Sequence, residues 1–392
     1  MNPVYLVAAR RTPVMRAGKQ FLDVGAERLA ALAIDAVLED SGISIPDIDH
    51  VFLGNAAGPG GNIARVSVLA SQLPDSVPAT SLDAQCASGL DAIATAARMI
   101  ASGEAHAVIA GGTESSSTAP WRLTRPNDPM EPVRRYSRAR FTPAPDPDPD
   151  MGQAAENIAE RYGISRERQD LFALQSHHRA LAAQQSGIFD NELVPVQTIR
   201  GLYAADGCPR KNLTAEKLAA LRPVFRAAGT VTAGNCCPIN DGAAAVLLVG
   251  HEMLHSLSPG YALRYLGAAH GGYDPQLLGM AAVPAYRRLA RLRPDHFRHT
   301  PRLVEFNEAF AVQALACLDE LGIDPGDVNR DGGAISLGHP YGASGAILAT
   351  RLYWQARQQR LHGQSVVALM AAAGGTGTAV GFEGLDLDGD LP

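Results

Sequence analysis

Cysteine is an effective nucleophile when it is a thiolate, and one of the five cysteines of this 392-residue chain sits where a thiolate would be favoured. Cys86 lies in SLDAQCASGLDAIATAARMIASG, residues 81–103. Leu90, Ile93, Ala94, Ala97, Ile100 and Ala101 recur at spacings of three and four, which predicts a helix starting near Ala87 or Ser88 and closed by Gly103. Free N–H groups and the positive dipole end of that helix favour a thiolate at Cys86; a small buried hydrophobe is an equally good reading of the stretch by itself. Three further stretches follow apolar runs and are rich in small residues: NEAFAVQA (307–314), GHPYGASGA (338–346) and AAAGGTGTAV (371–380). With Cys86 they would supply a thiolate, the amide of Asn307 and the imidazole of His339, a set suited to nucleophilic catalysis.

The elements that must position these groups recur. VPATSLDAQ reads as a short strand before Cys86, and HAVIAGG (106–112) as a strand after its helix, of the Ala- and Gly-rich kind that can pair across a two-fold axis. ASG at 87–89 is followed by GGTES at 111–115, and ASG at 343–345 by GGTGT at 374–378, so one βαβ unit stands twice in the chain. Upstream, a helical run leads to a strand ending at Asn55, and a second to a strand ending at Asn307. Each half is therefore an α/β layer with its strand-end loops on a common face. Residues 114–240 do not follow the repeat and read as an inserted loop domain with helical patterns in GQAAENIAERYG and SRERQDLFALQSHHRALAAQQSG. The expected division is 1–113 and 241–258 for the N-terminal half, 114–240 for the insert and 259–392 for the C-terminal half. The PDPDPD stretch (145–150) is expected to be a solvated loop, and the adjacent His177 and His178, on a polar helix, to face water.

Bulk properties narrow the function. Hydrophobic residues are 46% and charged residues 19% of the chain, a soluble globular balance, and a net charge of −6 gives no reason to expect a nucleic acid or a membrane as partner. Any phosphate must be held locally. An odd number of cysteines without CxxC or His at ligand spacing suggests neither disulfides nor a metal site, and a reducing compartment, the cytoplasm, fits. MNPVYLVAARRTP reads as a strand and a basic turn, not as a secretory signal.

AARRTPV, LGNAAGPGGNIAR, QCASGLDA, GGTES, MGQAAENIA, LRPVFRAAGTVTAGN, INDGAAAVLL, NEAF and GHPYGASGA stand in the order found in thiolases, and the chain resembles that family over nearly its whole length. The resemblance implies a five-layered αβαβα fold of two duplicated halves with an inserted loop domain, a homodimer or tetramer, and chemistry on coenzyme A thioesters, with acyl-CoA as substrate and no permanently bound cofactor. It implies that Cys86 takes up an acyl group, that His339 activates the thiol, and that His339 and a water on Asn307 hold the enolate oxygen of a second thioester. Arg210, Phe225, Ala233 and Cys237 occupy positions that contact the nucleotide or pantetheine arm, with Met151 and Phe310 near the acyl end. Cys237 stands where many members have Ser, and Cys317 falls on an apolar stripe expected in the core.

The pattern breaks at one place. The family's late CxGGGxG segment carries an acid/base cysteine, which aligns with Ala371, and a motif glycine whose N–H holds the acyl-enzyme oxyanion aligns with Ala373. A methyl group cannot carry a proton. Three readings follow: an acyltransferase that loads Cys86 and passes the acyl group to an acceptor not needing that base, making or breaking a carbon–carbon bond; a non-catalytic subunit that binds coenzyme A or scaffolds a complex; or an ordinary thiolase carrying an introduced change at 371.

Overall fold

The computed structural model describes residues 2–126 and 128–387. Val4–Arg11, VYLVAARR, is apolar on both faces and almost wholly buried, as a strand covered on two sides must be. It stands at the centre of a ten-stranded mixed sheet. Outward from it run Asn240–Gly250, Ala107–Ser115, His50–Gly54 and Ala79–Leu82; in the other direction lie Tyr261–Gly272, Thr376–Asp386, Ser365–Ala372 and Leu303–Phe306. The two half-sheets join only where Tyr5 and Leu6 face Arg264 and Leu263. Counted outward from that junction, each half places its first strand, then its last, its fourth and its second. The third is Ala79–Leu82 in one half and a single parallel bridge, Val304 to Val328, in the other. The duplication read from the sequence is thus a duplication of topology.

Helices Ser88–Ser102 and Tyr341–Gln358 form the middle of five layers. Each packs on the other and on strands of both halves. The second is buried continuously from Gly342 to Ala356, which a helix reaches only when it is covered all round. Ala26–Ser41 and Ile63–Ala70 cover the outer face of the N-terminal half-sheet, and Ala282–Leu292 with Ala311–Leu321 cover that of the other half. Glycine lets the middle helices approach closely. A Cβ on Gly89 would lie 2.8 Å from the Gly342 carbonyl oxygen, and one on Gly345 would lie 2.4 Å from the Leu90 nitrogen. The repeated ASG triplets are therefore the crossing point of two helices.

The double glycines of the repeat are not equivalent. Gly111 and Gly112 are inside a strand, whereas Gly374 and Gly375 have φ of 81° and 74° and make the turn between the last two strands. The HAVIAGG strand, expected at a two-fold pairing edge, is interior, bonded to Asn240–Gly250 on one side and His50–Gly54 on the other. The edge strand on that side of the sheet is Ala79–Leu82.

Between Ser115 and Asn240 the chain leaves the sheet, and its helices Met151–Tyr162 and Arg166–Gln185 pack on Ala311–Leu321 of the C-terminal half. A buried ion network fastens this region. Arg11 pairs with Glu192 at 2.6 Å and Asp206 at 2.8 Å, while Arg351 pairs with Glu192 at 2.5 Å and with Asp331. One carboxylate of the insert thus bridges cations from both halves. The PDPDPD loop is not merely solvated, because Arg138 draws in Asp148 at 2.8 Å and Asp150 at 3.0 Å.

Candidate active site

Cys86 sits just before the first turn of Ser88–Ser102, whose left-handed C-cap is Gly103. Its approach is a tight loop. Gln85 has φ of 54°, an uncommon conformation for a residue with a side chain, held by its N–H on Asp83 Oδ1 at 2.8 Å. Ser88 Oγ accepts from Ala84 N at 2.9 Å and closes the loop from the helix side. The thiol is thereby aimed across the helix end. Its position corrects one expectation: Cys86 is 7% exposed, and burial pushes its thiol up to about 12, against the smaller downward pull of the Ala373 N–H and its own N–H. Desolvation of the charge outweighs the helix terminus, so Cys86 rests as a thiol. The two N–H groups remain aimed at its sulfur, where a carbonyl oxygen gaining charge would lie.

His339 precedes the other middle helix. Its N–H donates to Asn240 Oδ1 at 2.8 Å, its Nδ1 lies 2.6 Å from Ser344 Oγ, and its Nε2 lies 3.5 Å from Asn307 Nδ2. An amide nitrogen can only donate, so Nε2 is the acceptor and Nδ1 carries the proton toward Ser344. Burial pushes the imidazole down to about 4, which keeps it neutral with Nε2 unprotonated. Asn307 follows strand Leu303–Phe306, anchored by its N–H on Leu369 O at 3.0 Å. Its Oδ1 is buried and has no protein partner among the described residues, an orphaned acceptor of the kind a bound water satisfies. The site therefore brings together a thiol, a neutral imidazole, an amide and two inward N–H groups.

The remaining expected residues form two groups. Met151, Phe225, Cys236 and Cys237 border the apolar cluster that contains Phe310, and the Phe225 and Phe310 rings meet edge to face at 6.2 Å. Gly152 makes room for this, since a Cβ there would lie 2.2 Å from the Phe225 ring. Arg210 donates to the exposed Ala233 carbonyl at 2.9 Å, and burial and Arg16 lower its pKa. Ala371 is the last residue but one of strand Ser365–Ala372, opposite Gly377, and lines a cavity of about 10 Å³ with Met151, Ala155, Ile158, Gly279, Ala309, Phe310 and Gln313. Cys317 is fully buried and donates to Gly279 O at 3.3 Å, a core position.

His177 does not face water. It is 1% exposed, and its Nδ1 accepts from the Arg210 N–H at 3.2 Å, because its helix is covered on that side by the segment carrying Arg210; His178 alone is exposed. Several residues that shape the site escaped the sequence reading. Asn240 and Ser344 orient His339. Glu114 is buried and accepts from the N–H groups of Ala56 at 3.0 Å, Ala57 at 3.1 Å and Gly342 at 3.1 Å, tying the GNAAG loop to the Tyr341 helix. All three stand within motifs that were noticed, INDG, GASG and GGTES, so a polar residue buried in a Gly-rich motif was the available signal.

Residues 4–252 match the family model "Thiolase, N-terminal domain" and 261–384 match "Thiolase, C-terminal domain". The chain is 42% identical over 402 residues to the β-ketoadipyl-CoA thiolase of Pseudomonas aeruginosa, covering 97% of this chain and 98% of that protein. It is 38% identical over 385 residues to the putative acetyl-CoA C-acetyltransferase VraB of Staphylococcus aureus, covering 97% and 99%. The crystal structure of the Bacillus anthracis acetyl-CoA acetyltransferase superposes with a TM-score of 0.90 at 34% identity, over 98% of this chain and 99% of that one. Such a fold and such relatives define an acyltransferase that forms or cleaves carbon–carbon bonds. The chain belongs to the thiolase family.

Proposed function

We propose that this enzyme takes short acyl groups from acyl-CoA onto Cys86 and passes them to a second coenzyme A thioester or to coenzyme A itself. The observation that carries this is the placement of the Cys86 thiol under the N–H groups of Cys86 and Ala373 at the meeting of two helix ends, with the His339 Nε2 lone pair on the opposing end. A neutral thiol and a neutral imidazole suit a site that must admit a neutral thioester. As the carbonyl arrives, sulfur attacks carbon, the proton passes to Nε2, and the charge gathering on oxygen is taken by the two N–H groups. The orphaned Asn307 Oδ1 would hold a water beside His339 for the oxygen of the second thioester. Met151, Phe225, Phe310 and Cys237 would line the pantetheine arm and acyl end, with Arg210 and Ala233 farther out toward the nucleotide. Two of the relatives are described as acetyltransferases, which favours an acetyl-sized group.

The cytoplasm is the proposed location, since all five cysteines are free. No helix among the described residues is long and apolar enough to cross a membrane. A homodimer or larger is proposed from the short edge strand Ala79–Leu82 and the exposed Val66 and Leu69 on the neighbouring Ile63–Ala70 helix. Intact-mass spectrometry after exposure to acyl-CoAs of increasing length tests the central reading. One acetyl adduct that disappears on adding coenzyme A is expected, with octanoyl loading slower. Absence of any adduct from every donor would contradict it.

A further inference from the structure

Ala371 cannot move a proton, and no side chain in AAAGGTGTAV can take its place; yet a thiol enters the same cleft from another segment. Residues 235–240 thread between the two catalytic loops. The Cys237 N–H donates to Ala309 O at 3.0 Å, Cys236 bridges to Phe310, Ile239 bridges to His339, and Asn240 receives the His339 N–H. Cys237 is thus held two residues from the Asn307 loop on one side and two from the His339 pairing on the other. It is partly exposed, unlike Cys208 and Cys317, whose sulfurs are buried and hydrogen-bonded to Asn240 and Gly279. Tyr341, whose ring is 5.4 Å from that of His339, lies within electrostatic reach of both Cys86 and Cys237.

We propose that Cys237 is the proton-carrying thiol of the carbon–carbon bond step, doing from this segment what the methyl group at 371 cannot. The proposal rests on acyl transfer through Cys86. In the cleavage direction the Cys86 sulfur bonds to the 3-oxo carbon of a 3-oxoacyl-CoA, the bond between carbons 2 and 3 breaks, and its electron pair leaves as the enolate of acetyl-CoA. Cys237 gives its proton to carbon 2. Incoming coenzyme A then returns a proton to the Cys237 thiolate and its sulfur attacks the acyl-Cys86 carbonyl; the Cys86–acyl bond breaks, and Cys86 recovers the proton held by His339. No electrons are gained or lost overall. Burial, with Cys236 and Cys86 close by, pushes the Cys237 thiol well above its ordinary value, so it enters this cycle protonated.

The test compares two readouts on the whole enzyme: acetyl loading of Cys86 by intact mass, and exchange of the acetyl-CoA methyl protons in D2O. Cys237→Ser keeps the size of the side chain but not its acidity. It should keep most of its loading while exchange and thiolysis fall by about a hundredfold or more, the scale of general acid–base catalysis. Adding Ala371→Cys to that variant should restore much of the exchange, and Tyr341→Phe should leave it in place. If Cys237→Ser proves unstable, Cys237→Ala is read in the same way. Exchange at the parent rate in a folded Cys237 variant would overturn the proposal, as would loss in Tyr341→Phe alone, or a parent that loads but never exchanges. A parent that does not load would sink the acyl-transfer reading instead.

Discussion

The two ASG triplets have the same sequence, begin equivalent helices, and touch at their glycines, but their serines work differently. Ser88 is turned back on the loop before it, bonding Ala84 N and Gln85 O, and so fixes the backbone that presents Cys86. Ser344 is turned toward His339 Nδ1 and so fixes the tautomer of an imidazole. One copy of the unit has become a nucleophile holder and the other a base holder. Duplication thus supplies two helix ends on one face, and the residues just ahead of each end decide what chemistry it does. The close Gly89–Gly342 and Gly345–Leu90 approaches are what place the products of that divergence beside each other.

Substitutions on the base side should separate from those on the nucleophile side. His339→Ala removes the proton acceptor and should slow acyl loading by about a hundred- to ten-thousand-fold with the fold retained, measured by single-turnover loading of acetyl-CoA. Acid should strike the same side. Burial holds His339 near 4 while an unfolded histidine titrates near 6.5, so the unfolded chain binds more protons between those values. Stability is therefore full above about 6.5 and falls as pH drops toward 4, by roughly 3 kcal/mol for this residue alone. His177 is shifted the same way, chiefly by burial, and His177→Asn, which keeps an acceptor for the Arg210 N–H, should flatten the decline of the denaturation midpoint over that window. An unchanged slope in that variant would mean that the His177 imidazole is not sequestered.

The helix crossing gives a smaller effect that both copies share. Gly89→Ala forces a methyl against the Gly342 carbonyl and should destabilise the protein by about 1–3 kcal/mol, seen in thermal melting. The sharpest comparison is the smallest. Ser344→Ala should lower loading by roughly five- to tenfold through a loosened imidazole, about the worth of one hydrogen bond, and leave melting nearly unchanged. Ser88→Ala should do the reverse, costing about 1 kcal/mol of stability with the pH dependence of loading intact. Equal effects of the two changes on loading would erase the distinction between the copies.

How much of this was legible in the sequence follows from the range of the interactions. The helix after Cys86, its Gly103 cap and the flanking strands were readable because periodicity and capping are local. The pairing of Cys86, His339 and Asn307 came from motifs at strand ends and from the family resemblance, not from spacing. What stayed hidden depends on packing between distant segments. His177 reads as surface because its neighbours are polar, yet Ser176 beside it is bonded to buried Glu308 and Ser336. Cys86 looked like a thiolate because the helix terminus is visible in sequence, while the desolvation that overrides it is not. The GG pairs looked equivalent because composition does not tell a strand from a turn.

The account stands on Cys86 being the residue that carries the acyl group. Peptide mapping of the protein quenched with acid after exposure to acetyl-CoA tests this most directly. The whole adduct should lie on the peptide containing Cys86 and be absent from Cys86→Ala, which should remain folded. An acetyl group on Cys237, or an adduct that survives in Cys86→Ala, would contradict it.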